Sequence, residues 1–234
     1  MAGSLIRLRS PRAVLLTGGA ALVALVAAGV VPAASPGKEK IALTAAGKAQ
    51  ARAEVVRRAD VGAGWSGGFK KPNLSSTFPA CSYRPKQSDL VLIGAAETTW
   101  QKQVLVIDTE AQVLRTAAMV RLDWRRTVTA PQVQPCLRRG FAKSLGAGTR
   151  LVSFRRVGFL HVATYTRAYR VVADLKTALG KVRLEIDLVV FGAGRNELDL
   201  AVTGPASTKT YLRKTELRLA RVLAARARRS PTRQ

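Results

Sequence analysis

The sequence predicts an α+β domain: an antiparallel sheet of about six strands with helices packed on it, and a hydrophobic helix standing apart at the N-terminus. Three observations predict this. Residues 13–31 read AVLLTGGAALVALVAAGVV without a single charge. Residues 149–203 are filled by segments of period-two alternation, clearest at 181–191 and 195–203. Apolar residues at helical spacing flank that block, over 110–128 and again after Pro205.

The apolar run comes first in the chain and sets the compartment. Arg7, Arg9 and Arg12 precede it, and Pro32, Ala33 and Ala34 follow, which is the order of a basic region, an apolar region and small residues for cleavage. A run of this length also spans a bilayer as a helix, so residues 1–34 are either a signal peptide or a signal anchor. Both export the remainder, with the N-terminus in the cytoplasm. Residues 35–42 then read as a linker, 43–229 as a single extracytoplasmic domain, and 230–234 as a disordered basic tail.

The chain carries 39 Lys+Arg against 14 Asp+Glu. Three of the arginines lie in the leader, so the exported part keeps 36 against 14, a net charge of +22. Such a field draws anionic partners from a distance: an anionic envelope component or a membrane surface, with no nucleic acid expected once the protein is outside the cytosol. An Arg-rich composition spread over every solvated face produces the same number. Cys81 and Cys136 are the two cysteines, and an even pair in an oxidising compartment reads as one disulfide. Closing that loop restricts the unfolded chain by about 4 kcal/mol in the entropic model.

Taken in order, Thr44 is placed to cap a helix running to about Ala59, with Ala46, Ala49, Ala53 and Val56 at helical spacing. Residues 62–67 spell GAGWSG, the letters of a dinucleotide-binding turn. They follow a helix rather than a strand, so they read as a helix stop with Trp65 folded back as an anchor. Residues 70–85 read as a loop pinned by Cys81. Strands follow at 89–95 and 103–108, and then the long helix at 110–128, where Val113, Ala117, Val120, Trp124 and Val128 form a stripe. A shorter helix spans 136–145. Strands at 149–157, 161–173, 181–191 and 195–203 precede a terminal helix with Leu212, Leu219, Val222 and Leu223 on one face.

This order of elements, together with ADVGAGW at 59–65 and VLVID at 104–108 entering a helix, resembles exported actinobacterial α/β domains. More distantly it is similar to the extracellular sensor domains of mycobacterial receptor kinases, which belong to a Mog1/PsbP-like class. The resemblance covers about residues 40–229. It implies a Mog1/PsbP-like fold and a sensing or binding role; that class shares no catalytic motif, so it assigns no catalytic residue here.

Four features are candidates for chemistry or binding. His161 is the only histidine, and a nucleophile system has nothing else to build on. Glu185, Asp187, Glu197 and Asp199 fall on one face if the hairpin turn is centred on Ala193. Such a face serves acid–base chemistry or a hard cation, or it is a salt-bridged surface with Arg167 opposite Asp187 and Arg183 and Arg195 alongside. Tyr165, Arg167 and Tyr169, with Arg155 and Arg156 on the neighbouring strand, form an anionic-ligand surface or pack beneath a helix. The arginines from Arg218 onward suit an anionic surface or a solvated helix end. The expectation is therefore a non-enzymatic binding or sensor-like domain of the bacterial envelope, with no cofactor and no metal. The rivals are an exported hydrolase or metal-dependent enzyme on the carboxylate face, and a nucleic-acid binder.

Overall fold

The computed structural model describes residues 39–74, 83, 85–146, 148–177 and 180–229. The leader, Cys81 and the 230–234 tail lie outside the described residues. The elements in order are β1 (Lys40–Ile41), α1 (Ala45–Glu54), α2 (Arg58–Val61), β2 (Ser66–Lys70), β3 (Val91–Lys102) and β4 (Leu105–Leu114). Then come α3 (Ala117–Asp123), prolonged by a π-helical turn at Trp124–Val128, and α4 (Val133–Ser144). Finally β5 (Thr149–Val157), β6 (Tyr165–Thr177), β7 (Gly180–Ala193) and β8 (Asn196–Pro205) lead through a short 3₁₀ turn into α5 (Lys209–Arg229).

All eight strands form one sheet in the order β1-β3-β4-β8-β7-β6-β5, with β2 beside the far half of β3. The fold is α+β as the sequence predicts, but the sheet is mixed and larger than six antiparallel strands. Lys40 pairs with Val91 and Ile41 with Leu92 in parallel, so part of the expected linker is a strand. Neither added strand has a legible pattern: β1 is two residues long, and β2 reads SGGFK, with two glycines where side-chain alternation would show.

Helices cover both faces. Ala51 of α1, Val55 just after it, and Leu212, Leu219, Leu223 and Ala227 of α5 share one core with Ile107, Val113, Val189, Phe191, Leu198, Leu200 and Val202. On the other face Trp124, Val128, Val133, Leu137 and Phe141 close over Phe154, Tyr169, Val171, Leu188 and Val190. Between them the two cores take both parities of the central strand β7, which explains its near-continuous apolar C-terminal half.

The largest departure from the sequence reading lies at residues 110–114. The expected helix begins only at Ala117, because β4 runs on through Glu110–Leu114 and pairs on both sides, Val113 with Gly94 and with Asn196. Thr116 then caps α3, accepting from the Met119 N–H at 3.2 Å. Of the predicted stripe, Val120, Trp124 and Val128 are buried, while Ala117 is exposed. At the same end of β3, Thr44 caps α1 as expected, accepting from the Gly47 N–H at 2.9 Å. The residue after α1, Val55, and its neighbour Val56 reach the core, where Val56 exchanges hydrogen bonds with Thr98 and Thr109 on β3 and β4. The Trp100 indole N–H also donates to the Val56 carbonyl, at 3.0 Å. Helix α1 lies against β3 through two glycines: a Cβ on Gly94 would fall 2.0 Å from the Gly47 carbonyl oxygen.

Candidate functional site

The site is built where the sheet ends. In the β5–β6 pair, Arg156 lies opposite Tyr169, and Arg167 precedes Tyr169 by two residues, on the same face of β6. That places the two arginines as diagonal neighbours, about 7–8 Å apart by sheet geometry. Behind them stands an aromatic wall. Phe154 stacks on Tyr169 with ring centroids 5.4 Å apart, Phe141 of α4 lies 5.2 Å from Phe154, and Trp124 stacks on Tyr165 at 5.4 Å. Burial pushes the Tyr169 hydroxyl above the usual phenol range, while Arg167 and Arg156 both pull it part of the way back, so both guanidinium groups act on that hydroxyl. Arg156 is exposed and Arg167 half-buried. Among the described residues neither joins an ion pair, whereas Arg126, Arg150, Arg170, Arg183, Arg213 and Arg226 all do. Adjacent like charges on a sheet repel; an anion seated between them removes that cost.

Of the five residues read as an anionic-ligand surface, four thus come together: Arg156, Tyr165, Arg167 and Tyr169. Arg155 does not. It lies opposite Arg170, on the α5 side of the sheet. Tyr169 is only 1 % exposed and serves as wall and hydroxyl rather than as a stacking platform.

The four-carboxylate face does not form. The β7–β8 turn is Gly194–Arg195, with Gly194 at φ 58°, and the register pairs Ala193 with Asn196 and Asp187 with Val202. A turn centred on Ala193 would have put Asp187 opposite Asp199. The difference is three residues, an odd number, and an odd slip sends one strand's side chains to the other face. Glu185 and Asp187 therefore point toward α5, and Glu197 and Asp199 toward α3.

On the α5 side, Arg170 and not Arg167 is opposite Asp187. Its Nε donates to Asp187 Oδ1 at 2.6 Å and lies 3.1 Å from Glu185 Oε1, which Arg213 of α5 approaches at 3.4 Å. Burial nevertheless raises the Asp187 carboxyl above its ordinary range, against the pull of Arg170. Glu216 of α5 completes the group and is pushed up to about 8, chiefly by burial and then by Asp187. Arg183 leaves this cluster altogether. With Lys181 and Arg150 it surrounds Asp174, at 2.8, 2.8 and 3.3 Å, and these cations hold that carboxyl well below the usual range. Arg195 donates to Gln50 at 3.2 Å.

On the α3 side, Glu197 lies opposite Gln112, and Glu97, Glu110 and Asp199 stand abreast on β3, β4 and β8. Burial, and then the neighbouring Asp123 carboxyl, pushes Glu197 well above its ordinary value. Gln87 donates to Asp123 at 3.1 Å. Among the described residues no group of three or more His, Cys, Asp or Glu is arranged to hold a metal ion.

His161 is exposed on the β5–β6 connection. Cys136 is buried in α4, and no described cysteine is free. Part of the terminal basic run is spent inside the fold: Arg226 pairs with Asp60 at 2.6 Å, Arg218 donates to the Asp60 carbonyl at 2.7 Å, and Arg228 to the Val162 carbonyl. Sequence reasoning missed Glu216 and Arg170. Glu216 had a signal, because it interrupts the Leu212, Leu219, Leu223 stripe at a core position. Arg170 had none, since only the register gives it Asp187.

No family model matches the chain, and no curated protein matches it. Among solved structures the chain is similar to LpqN, described as involved in cell envelope biogenesis of Mycobacterium tuberculosis, with a TM-score of 0.31 and 11 % sequence identity. The likeness covers 66 % of this chain and 73 % of that one. No described helix is long and apolar enough to cross a membrane.

Proposed function

We propose that this protein is a non-enzymatic, extracytoplasmic binding or sensor-like domain of the bacterial envelope, and that it holds an anionic group between Arg156 and Arg167 with the Tyr169 hydroxyl as a third donor. The observation that carries the reading is the pair itself: two diagonal guanidinium groups without an ion pair beside a buried tyrosine hydroxyl, in a sheet where Arg150, Arg170 and Arg183 are each paired with a carboxylate. Guanidinium forks suit carboxylate and phosphate oxygens, and the net charge of +22 outside the leader steers such groups inward. The arginine-fronted apolar leader supports export, as signal peptide or anchor, and export supports a bridge between Cys81 and Cys136. The Mog1/PsbP-like assignment belongs to the same proposal. The single carboxylate face that the hydrolase alternative called for does not form, because Glu185 and Asp187 lie on one face and Glu197 and Asp199 on the other.

The test is binding of the full chain to vesicles of anionic phospholipid and to a soluble phosphate polymer, at fixed moderate salt. Replacing both Arg156 and Arg167 with Ala weakens binding at least tenfold, while replacing Arg138 and Arg139, exposed on α4, leaves it within about twofold. Equal losses from the two double variants mean that charge is read over the whole surface, and the site is then wrong. Fractionation of the tagged protein, with a count of alkylatable thiols, decides compartment and bridge: a cytosolic protein with two free thiols rejects both.

A further inference from the structure

Helix α5 faces the sheet with Leu212, Glu216, Leu219 and Leu223, and Glu216 is 3 % exposed. The charged groups that face it are Asp187 and Glu185 from β7, Arg170 from β6 and Arg213 from its own helix. The neighbouring strand β8 presents Val202 and Gly204 opposite Asp187 and Glu185. Helix α1 and the residue after it meet the core shared with α5 through Ala51 and Val55. The cluster holds three carboxyl groups and two guanidinium groups, and Arg213 has 46 % of its side chain exposed, so water weakens its share of the neutralisation. Asp187 Oδ2 and Glu216 Oε1 are both buried without a hydrogen-bond partner. Three buried carboxylates with one enclosed cation are not a stable arrangement. One proton settles it, and Glu216, which no cation pairs with directly, is the group to hold it.

We propose that α5 is a proton-dependent latch: it stays docked while Glu216 holds a proton beside Asp187, and it undocks more readily once that proton has an exit to solvent. Undocking frees the Glu216 carboxyl to ionise in water and uncovers the sheet face formed by Val189, Phe191, Leu200 and Val202. Since the docked group retains its proton up to about pH 8 and a solvated one loses it near pH 4.3, opening grows with pH between those limits and levels off above them.

Amide hydrogen exchange on the full chain, corrected for the intrinsic effect of pH, tests this. Protection along α5 falls by up to about tenfold per pH unit between pH 5 and pH 8, the slope for one linked proton, and then flattens. Protection in β4 and β8 stays higher than in α5 throughout. In Glu216→Gln, which keeps the shape without the titration, α5 protection is level across the same range. In Asp187→Asn, where the repelling charge is gone, the falling limb ends at lower pH. An α5 profile identical in wild type and Glu216→Gln overturns the proposal, as does an α5 that opens only together with β4 and β8.

Discussion

Arg170 is the residue on which the α5 side of the sheet turns. It is the one largely enclosed cation of its cluster, with 13 % of its side chain exposed, and it touches both Asp187 and Glu185. Deleting one member of a buried ion pair leaves the others uncompensated, at a cost of about 3–5 kcal/mol. Arg170→Met is therefore expected to lower the unfolding free energy by that amount at neutral pH, measured by urea denaturation. Part of the loss is recovered in Arg170→Met/Asp187→Asn, because the second change removes a stranded charge. Asp174 shows the opposite case. Its carboxyl sits below the ordinary range among Arg183, Lys181 and Arg150, so the stability it contributes is present above about pH 4 and is lost as pH falls further. Glu216 has the reverse sign: its contribution is complete in acid and fades as pH rises toward 8.

Among the elements, α1 is held by a backbone-to-backbone approach at two glycines. The backbones of Gly47 and Gly94 approach so closely that a Cβ on either would strike a carbonyl oxygen, at 2.2 Å from Ile93 in one case and 2.0 Å from Gly47 in the other. Gly94→Ala is expected to force α1 outward and to cost about 3 kcal/mol, at the upper end of what overpacking does; thermal unfolding followed by circular dichroism checks it. A loss under 1 kcal/mol means α1 can shift without cost. This contact was not legible in the sequence, where Gly94 is one glycine at the end of an apolar run. What was legible at this scale is whatever has a local cause. Thr44 caps α1 because a hydroxyl at that position satisfies a free N–H, and β5 spans Thr149–Val157 as read. The stretch 110–114 failed because EAQVL suits helix spacing and strand alternation alike, and pairing with β3 and β8 chose between them.

For the whole molecule the dominant fact is charge. Beyond residue 34 the chain has 36 basic residues against 14 acids, and several of those acids, Glu54, Asp123, Asp187, Glu197 and Glu216 among them, are buried. The outside is thus more positive than the composition alone implies, and it repels itself. Salt relieves that repulsion, since the screening length drops from about 30 Å at 0.01 M to about 3 Å at 1 M. The melting temperature is expected to rise across that range while affinity for anionic vesicles falls steeply; both are read by titrating sodium chloride. A melting temperature that falls with salt would show that the ion pairs of Asp60, Asp174 and Asp187 outweigh the repulsion.

Composition and periodicity by themselves determined the α+β class, the uncharged run at residues 13–31, the excess of positive charge, and the apolar face of α5 at Leu212, Leu219 and Leu223. These are properties of single residues and of local spacing, so they survive without knowledge of neighbours. Only the tertiary structure decided which arginines are neutralised, which carboxyl groups share a face, and which acid keeps its proton. A strand's side chains alternate with period two, so a turn displaced by three residues reverses a face. The state of a charge, likewise, depends on what packs over it.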